Sequence, residues 1–144
     1  MIRIEHEDFD VAAELAALSN NPGVGAVATF TGFVRDDDGL VALTLEHYPD
    51  MTEREIARHA DEAKTRWPLL GITIIHRVGR LTPRERIVFV GVAAAHRGVA
   101  FEACEFLMDY LKVHAPFWKQ EERASGTAWV EAKTSDDAAA KRWR

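Results

Sequence analysis

Four short runs rich in β-branched and aromatic residues limit the possible folds of this chain most strongly. They cover residues 24–35, 40–48, 71–78 and 86–95, and each has a suitable length for one strand. The stretches between them show helical spacing of apolar residues, but strands and helices do not alternate regularly as a parallel sheet requires. The sequence therefore predicts an α+β fold.

Two local signals add detail to this prediction. Asp38-Gly39, between the first two runs, is a favourable pair for a tight turn, so we expect those two strands to form a hairpin. Residues 52–55 (TERE) match a capping box, in which Thr52 caps a helix and Glu55 reaches back to the helix start. We expect this helix to bury one apolar face, formed by Ile56, Ala60, Ala63 and Trp67.

Three further helices and one more strand are expected. The Ala/Leu-rich residues 8–19 form the first helix, residues 98–113 a long one and residues 135–141 a short last one. Residues 128–133 indicate a short strand. The apolar face of the long helix consists of Cys104, Leu107, Met108 and Leu111.

Composition and length exclude several classes of protein. The 144 residues suit one domain, so we expect residues 1–144 to form a single unit. The formal net charge of −5 gives no general attraction for nucleic acid, and no apolar stretch approaches the roughly 18 residues of a membrane span. The one cysteine cannot form an internal disulfide, which suits a reducing compartment. We expect a cytoplasmic protein that binds neither nucleic acid nor membranes.

Motifs for several common kinds of active site are missing from the sequence. The six histidines show no HExxH spacing and there are no paired CxxC motifs, so we expect no metal site. Glycine-rich nucleotide loops and the GxSxG turn are also absent, and we expect no cofactor. Cys104 lies on the apolar face of a helix, which favours a core thiol over a nucleophile. Lysine remains a plausible covalent nucleophile.

Two lysines near the C-terminal end, Lys112 and Lys119, bracket a proline and two aromatic residues. Pro116 cannot continue a helix, so we expect the long helix to end near His114 and Lys119 to lie on a stiff turn. A cation fixed in this way is suited to holding an anion. The alternative is that both are ordinary surface cations, with Lys112 paired to Asp109 on the same helix.

A second cationic pair, His96-Arg97, stands where the last long strand passes into the long helix. The N-terminus of a helix offers unpaired N–H groups and the positive end of its dipole, so these residues could receive an anion there. The alternative is that they are exposed loop residues without a ligand. The residues themselves leave both interpretations open.

Several segments in the same order resemble one family, the large, catalytic subunit of molybdopterin synthase. They are GAVATFTGFVR (25–35), LTLEHYPDMTE (43–53), IIHRVGRL (74–81), IVFVGVAAAHRGVAFEA (87–103) and MDYLKVHAPFWKQE (108–121). The resemblance implies an α/β-hammerhead fold with an additional antiparallel β subdomain. It also implies a homodimer within a heterotetramer, with one small ubiquitin-like sulfur-carrier subunit at each end.

The resemblance further implies a sulfurtransferase of molybdenum cofactor biosynthesis. Such enzymes convert cyclic pyranopterin monophosphate to molybdopterin by inserting two dithiolene sulfurs. The sulfur arrives as a thiocarboxylate on the C-terminal glycine of the small subunit. Both reactants are anionic, so converging cations suit this chemistry.

The residues that match the family's site are also expectations from the resemblance. The catalytic pair falls on Lys112 and Lys119. Both lysines also belong to the expected substrate-binding set, whose other members are Phe33, Val34, Arg35, His96, Arg97, Gln120, Glu121 and Lys133. Lys133 would reach in from the dimer mate, and Phe30 and Met108 would form the pocket wall.

Two other kinds of function compete with catalysis. The chain could be a phosphate-ligand binding module that uses Arg35, His96 and Arg97 alone, or an interaction protein that only docks the tail of a ubiquitin-like partner. Tail docking or phosphate binding alone does not need two positioned amines. The presence of both Lys112 and Lys119 therefore favours the enzyme.

Overall fold

The computed structural model describes residues 1–130 and 134–143, which contain eight strands and four helices. The strands are β1 (Ile2–Glu5), β2 (Ala26–Phe33), β3 (Leu40–His47), β4 (Leu69–Arg77), β5 (Gly79–Leu81), β6 (Arg86–Ala94), β7 (Phe117–Arg123) and β8 (Gly126–Val130). The helices are α1 (Val11–Leu18), α2 (Met51–Arg66), α3 (Arg97–Val113) and α4 (Thr134–Lys141). This mixture confirms the predicted α+β fold. No helix in the described ranges is long and apolar enough to cross a membrane.

The first sheet has the strand order β1-β4-β6-β2 and is covered on both faces. Only the β1–β4 pair is parallel. Ile74 and Val90 face α2 and α3, whereas Ile75 and Phe89 face α1. Since neither face meets water, β4 and β6 are almost continuously apolar, which explains why both strands were predicted from sequence.

The second sheet has the order β5-β3-β7-β8 and is entirely antiparallel. It corresponds to the additional antiparallel sheet that the resemblance implies. Its inner face is closed by a small core of Val34, Leu43, Leu45 and Leu81. Its outer face carries exposed aromatic residues, among them Trp118 and Trp129.

The predicted hairpin of β2 and β3 is wrong, although its turn is present. Asp38 and Gly39 both have positive φ, and the N–H of Leu40 donates to the carbonyl of Asp37 over 3.0 Å. However, β2 pairs with β6 in the first sheet, and both hydrogen-bonding edges of β3 are taken by β5 and β7. The turn therefore passes the chain from one sheet to the other.

The predicted capping box is also wrong. Helix α2 starts at Met51, and its N-cap position is Asp50, two residues before the expected cap Thr52. Thr52 is completely buried, and its hydroxyl accepts from the N–H of Tyr48 and donates to the carbonyl of Pro116. Glu55 pairs with an arginine of its own helix. The buried face was predicted correctly for Ile56, Ala60 and Ala63, whereas Trp67 is partly buried just beyond the helix end.

The segment around Lys119 is a strand rather than the expected stiff turn. Helix α3 ends at Val113, as expected from Pro116, but β7 begins directly after this proline. The strand forms because β3 and β8 offer edges on both of its sides. Alternation along β7 then places Trp118 on the opposite face from Lys119. The expected strand at 128–133 overlaps β8, and residues 131–133 lie outside the described part.

Candidate active site

A small cavity of about 60 Å³ lies where α3, the first sheet and β7 meet. It is lined by Phe30, Gly32, Phe33, His76, Ile87, Val88, Met108, Leu111, Lys112 and Lys119. The structure thus brings together five of the residues predicted from sequence, namely both lysines, Phe30, Phe33 and Met108. These residues come from β2, which lies early in the chain, and from α3 and β7, which follow one another more than sixty residues later.

Lys112 reaches the cavity from the last turn of α3. The packing of Leu107 and Leu111 into the main core orients this turn. Asp109, the partner that the sequence offered for Lys112, instead accepts hydrogen bonds from Arg142 and Trp143. In place of the surface pair that the alternative interpretation offered, Asp109 links α3 to the C-terminal segment.

Lys119 reaches the cavity from β7. It is paired across the sheet with Leu45 of β3, which is buried, and with Val130 of β8. Phe117 lies two residues earlier on the same face, and its ring stacks on His76 with a centroid distance of 3.9 Å. An ordered strand, with both neighbours paired, holds the amine of Lys119 on the cavity side.

His76 is a cavity residue that the sequence reasoning missed. Its Nδ1 lies 2.9 Å from the carbonyl oxygen of Arg77, so Nδ1 carries the hydrogen. Burial lowers the pKa of His76 from 6.5 to about 4, the hydrogen bond to Arg77 opposes this, and the charges of Lys119 and Lys112 lower it further. The imidazole is thus neutral at neutral pH, and the positive charge at the cavity comes from the lysines.

The position of His76 in its strand contained a usable signal. Ile72 and Ile74 point to the main core, and His76 continues the same alternating set. A histidine at a core-facing position at the end of a buried strand is unusual enough to suggest a site. Cys104, in contrast, agrees with the expected inert thiol, because burial raises its pKa to about 11.

Val34 and Arg35 follow β2 beyond the cavity. Val34 is 2% exposed and packs with Leu43 and Leu45 in the small core, so its side chain does not face a ligand. The side chain of Arg35 is 76% exposed and lies 3.5 Å from Asp37. Arg35 is therefore available at the surface near the end of β2, where its guanidinium could move to an anion.

Gln120 and Glu121 occupy opposite faces of β7. Glu121 shares the inner face with Lys119, and its carboxylate lies 2.8 Å from Arg123. Gln120 is on the outer face of the sheet. Lys133 lies outside the described residues.

His96 and Arg97 lie at the opposite end of α3 from the lysine cavity. His96 is the N-cap and Arg97 the first residue of the helix, and both are exposed. Arg97 and Lys112 are fifteen residues apart on α3, which corresponds to about 22 Å. Within one chain, the structure does not bring this pair to the lysines. Among residues 1–130 and 134–143, no group of three or more His, Cys, Asp or Glu could hold a metal ion.

Comparison with known proteins gives consistent matches over the whole chain. A sequence model of the MoaE protein family matches residues 4–114. The molybdopterin synthase catalytic subunit of Mesorhizobium japonicum is 58% identical over 99% of this chain and 92% of its own length. The structure of the molybdopterin biosynthesis MoaE protein from Burkholderia ambifaria superposes with a TM-score of 0.87 at 53% identity, covering 99% of this chain and 97% of its own.

A more distant relative has the same fold. The crystal structure of molybdopterin synthase from Staphylococcus aureus gives a TM-score of 0.82 at 30% identity, over 89% of this chain and 95% of that one. Family model, near relatives and solved structures therefore agree, and the chain belongs to the MoaE family of molybdopterin synthase catalytic subunits.

Proposed function

We propose that this chain is the catalytic subunit of a molybdopterin synthase and that Lys112 and Lys119 are its working groups. It converts cyclic pyranopterin monophosphate to molybdopterin with sulfur from the C-terminal thiocarboxylate of a small ubiquitin-like subunit. The observation that carries this proposal is the meeting of the two lysines at one cavity, in a chain of the MoaE family.

The charges at the cavity support an anionic ligand. Two amines lie against a lining that is otherwise mostly apolar, and His76 adds no charge because it is neutral. In such surroundings the attraction between a lysine and an anion is stronger than in water, and hydrogen bonds between ionised groups are short and strong. A thiocarboxylate tail or the developing negative charge of the sulfur transfer would both be stabilised there.

We assign different roles to the two lysines. Lys112 lies at the C-terminal end of α3, where the helix dipole favours a cation, so it serves to stabilise negative charge. Lys119 is held on β7 of the second sheet, two residues beyond the Phe117 ring that stacks on His76, and it supplies the amine for covalent attack. The neutral amine attacks the carbonyl carbon of the thiocarboxylate, a C–N bond forms as the C–S bond breaks, and the sulfur leaves as sulfide for transfer to the pterin.

Part of the predicted binding set is assigned to a second copy of the chain. A cavity of about 60 Å³ cannot hold the whole pterin, since ligands of that kind occupy pockets of about 300–1,000 Å³. The cavity therefore takes the reacting end, and the rest of the substrate extends over the surface towards Arg35. His96, Arg97 and Lys133 would contribute from the dimer mate, which gives the homodimer a role in binding.

The proposed setting is the cytoplasm. A thiocarboxylate donor is stable where thiols stay reduced, and the single cysteine of this chain is a buried free thiol. The small sulfur-carrier subunit would bind each end of the homodimer with its tail in the lysine cavity, giving a heterotetramer.

Reconstitution tests the proposal. The purified chain, a thiocarboxylated small subunit and cyclic pyranopterin monophosphate should give a dithiolene product, measured as its fluorescent oxidation derivative. The matched control is the same mixture with a carboxylate in place of the thiocarboxylate. If the chain binds both reactants but yields no product, the binding-module interpretation replaces catalysis.

A further inference from the structure

The connection between α3 and β7 is held from two sides by side chains with no assigned role. On one side the hydroxyl of Thr52 donates to the carbonyl of Pro116 over 3.1 Å and accepts from the N–H of Tyr48 over 3.0 Å. On the other side the ring of Phe117 stacks on His76, with the two planes 19° apart. Adjacent residues of the connection are thus anchored to two different parts of the fold.

The hydroxyl of Thr52 is used in an unusual way. A threonine at the start of a helix normally offers its oxygen to an N–H group of that helix. Here it joins Tyr48, the residue after β3, to Pro116, which lies 64 positions beyond Thr52, and Thr52 is completely inaccessible to solvent. Since a buried hydroxyl must be hydrogen-bonded, the position of Pro116 relative to α2 is well defined.

This anchoring matters because Lys119 follows immediately. Lys119 is two residues beyond Phe117 on the same strand, which is about 7 Å along β7. Pro116 and Phe117 therefore set where β7 begins, and together with the pairing of β7 to β3 and β8 they determine the position of the Lys119 amine. Lys112 lies on α3 before the connection, so a shift of Pro116 or Phe117 changes the distance between the two lysines.

We propose that Thr52 is a positioning residue, which acts with the His76–Phe117 stack to hold Lys119 opposite Lys112 at the cavity. The inference rests on the proposed function, because it gives Thr52 a role through the lysine that we assign to covalent attack. It concerns placement only, and Thr52 touches neither reactant.

The first arm of the test compares Thr52→Val with Thr52→Ser in single-turnover sulfur transfer. Valine keeps the volume and removes both hydrogen bonds, whereas serine keeps the hydroxyl. We expect Thr52→Val to lower the rate constant about 10²-fold with KM near the parent value, because a 1 Å misplacement of a reacting group costs about that much. Thr52→Ser should restore most of the rate. A parental rate constant in Thr52→Val would overturn the proposal.

The matched control Leu18→Ala separates a positioning role of Thr52 from a general loss of stability. Leu18 is the last residue of α1 and is buried against the first sheet on the face opposite α2 and α3, so its truncation destabilises the fold without touching the connection. Assayed well below its Tm, Leu18→Ala should keep the parental rate. If it slows turnover as much as Thr52→Val at an equal loss in Tm, the effect is global and the proposal is wrong.

A second readout needs no turnover. Acylation of Lys119 by a neutral amine reagent is followed by peptide mass spectrometry, with the exposed Lys64 as internal reference. Thr52→Val and Phe117→Leu should both raise the labelling rate of Lys119 relative to Lys64, because the amine is no longer held at the cavity. If Thr52→Val does not fold, the labelling rate of Lys119 in Phe117→Leu decides whether the anchored connection positions this lysine.

Unchanged labelling of Lys119 in the folded variants would contradict the positioning role. Failure of the proposed function and failure of the positioning role give different results. A parent chain without turnover would refute the proposed function, while the labelling comparison would still decide whether Thr52 positions Lys119.

Discussion

Protonation of His76 should make this protein lose stability in mildly acidic solution. The folded state holds the imidazole with a pKa of about 4, whereas an unfolded chain has the ordinary value near 6.5. The unfolded state therefore binds the proton first as the pH falls below 6.5, which favours unfolding. Below about pH 4 both states carry the proton and this contribution levels off.

The size of the effect follows from the two pKa values. One pKa unit corresponds to about 1.4 kcal/mol, so the free energy of unfolding should fall by about 2 kcal/mol at pH 5 and about 3 kcal/mol at pH 4 through His76 alone. His76→Phe removes the titrating group and keeps an aromatic ring against Phe117. The variant should lose less stability than the parent over this pH range, by those same amounts.

Urea unfolding followed by tryptophan fluorescence between pH 7 and pH 4 measures this difference. Other titrating groups are common to both proteins and cancel in the comparison. Leu18→Ala, which alters no ionisable group, should lower stability equally at every pH. Parallel curves for the parent and His76→Phe would refute the assignment of His76 as a buried neutral imidazole.

Three further predictions concern binding, assembly and charge. Arg35→Ala and Arg97→Ala should each weaken binding of the pyranopterin by about 1.5–3 kcal/mol in titration calorimetry. If both variants bind it with the parental affinity, the substrate phosphate does not lie at these two residues. Light scattering should give about 32 kDa, twice the chain mass of 16.1 kDa, and a monomer at micromolar concentration would contradict a shared site. Lys112→Ala should slow sulfur transfer about 10²-fold or more by loss of one charge-stabilising group, while binding of the small subunit measured by calorimetry stays intact.

The sequence predicted the elements whose signals are local. Strands β4 and β6 are almost continuously apolar because both faces of the first sheet are covered, and α3 shows its buried face in Cys104, Leu107 and Leu111. Strand pairing is not a local property. Asp38-Gly39 specified a turn but could not reveal that β5 and β7 occupy both edges of β3.

The candidate site was predictable in part for the same reason. The family resemblance pointed to both lysines, but a strand and a helix end had to be placed in space before they shared a cavity. His76 was hidden because one histidine in an apolar strand carries little information without its neighbours. Thr52 was misread because the TERE spacing fits a capping box, while the hydroxyl bonds to Pro116, far along the chain.

The role of the Lys119 amine is tested most directly by Lys119→Arg in single-turnover sulfur transfer. Arginine keeps the positive charge on β7 and removes the primary amine. We expect almost no dithiolene product from this variant, with the dimer and the binding of the small subunit unchanged by light scattering and calorimetry. Product formation near the parental rate would show that Lys119 acts only through its charge, and its assignment to covalent attack would be wrong.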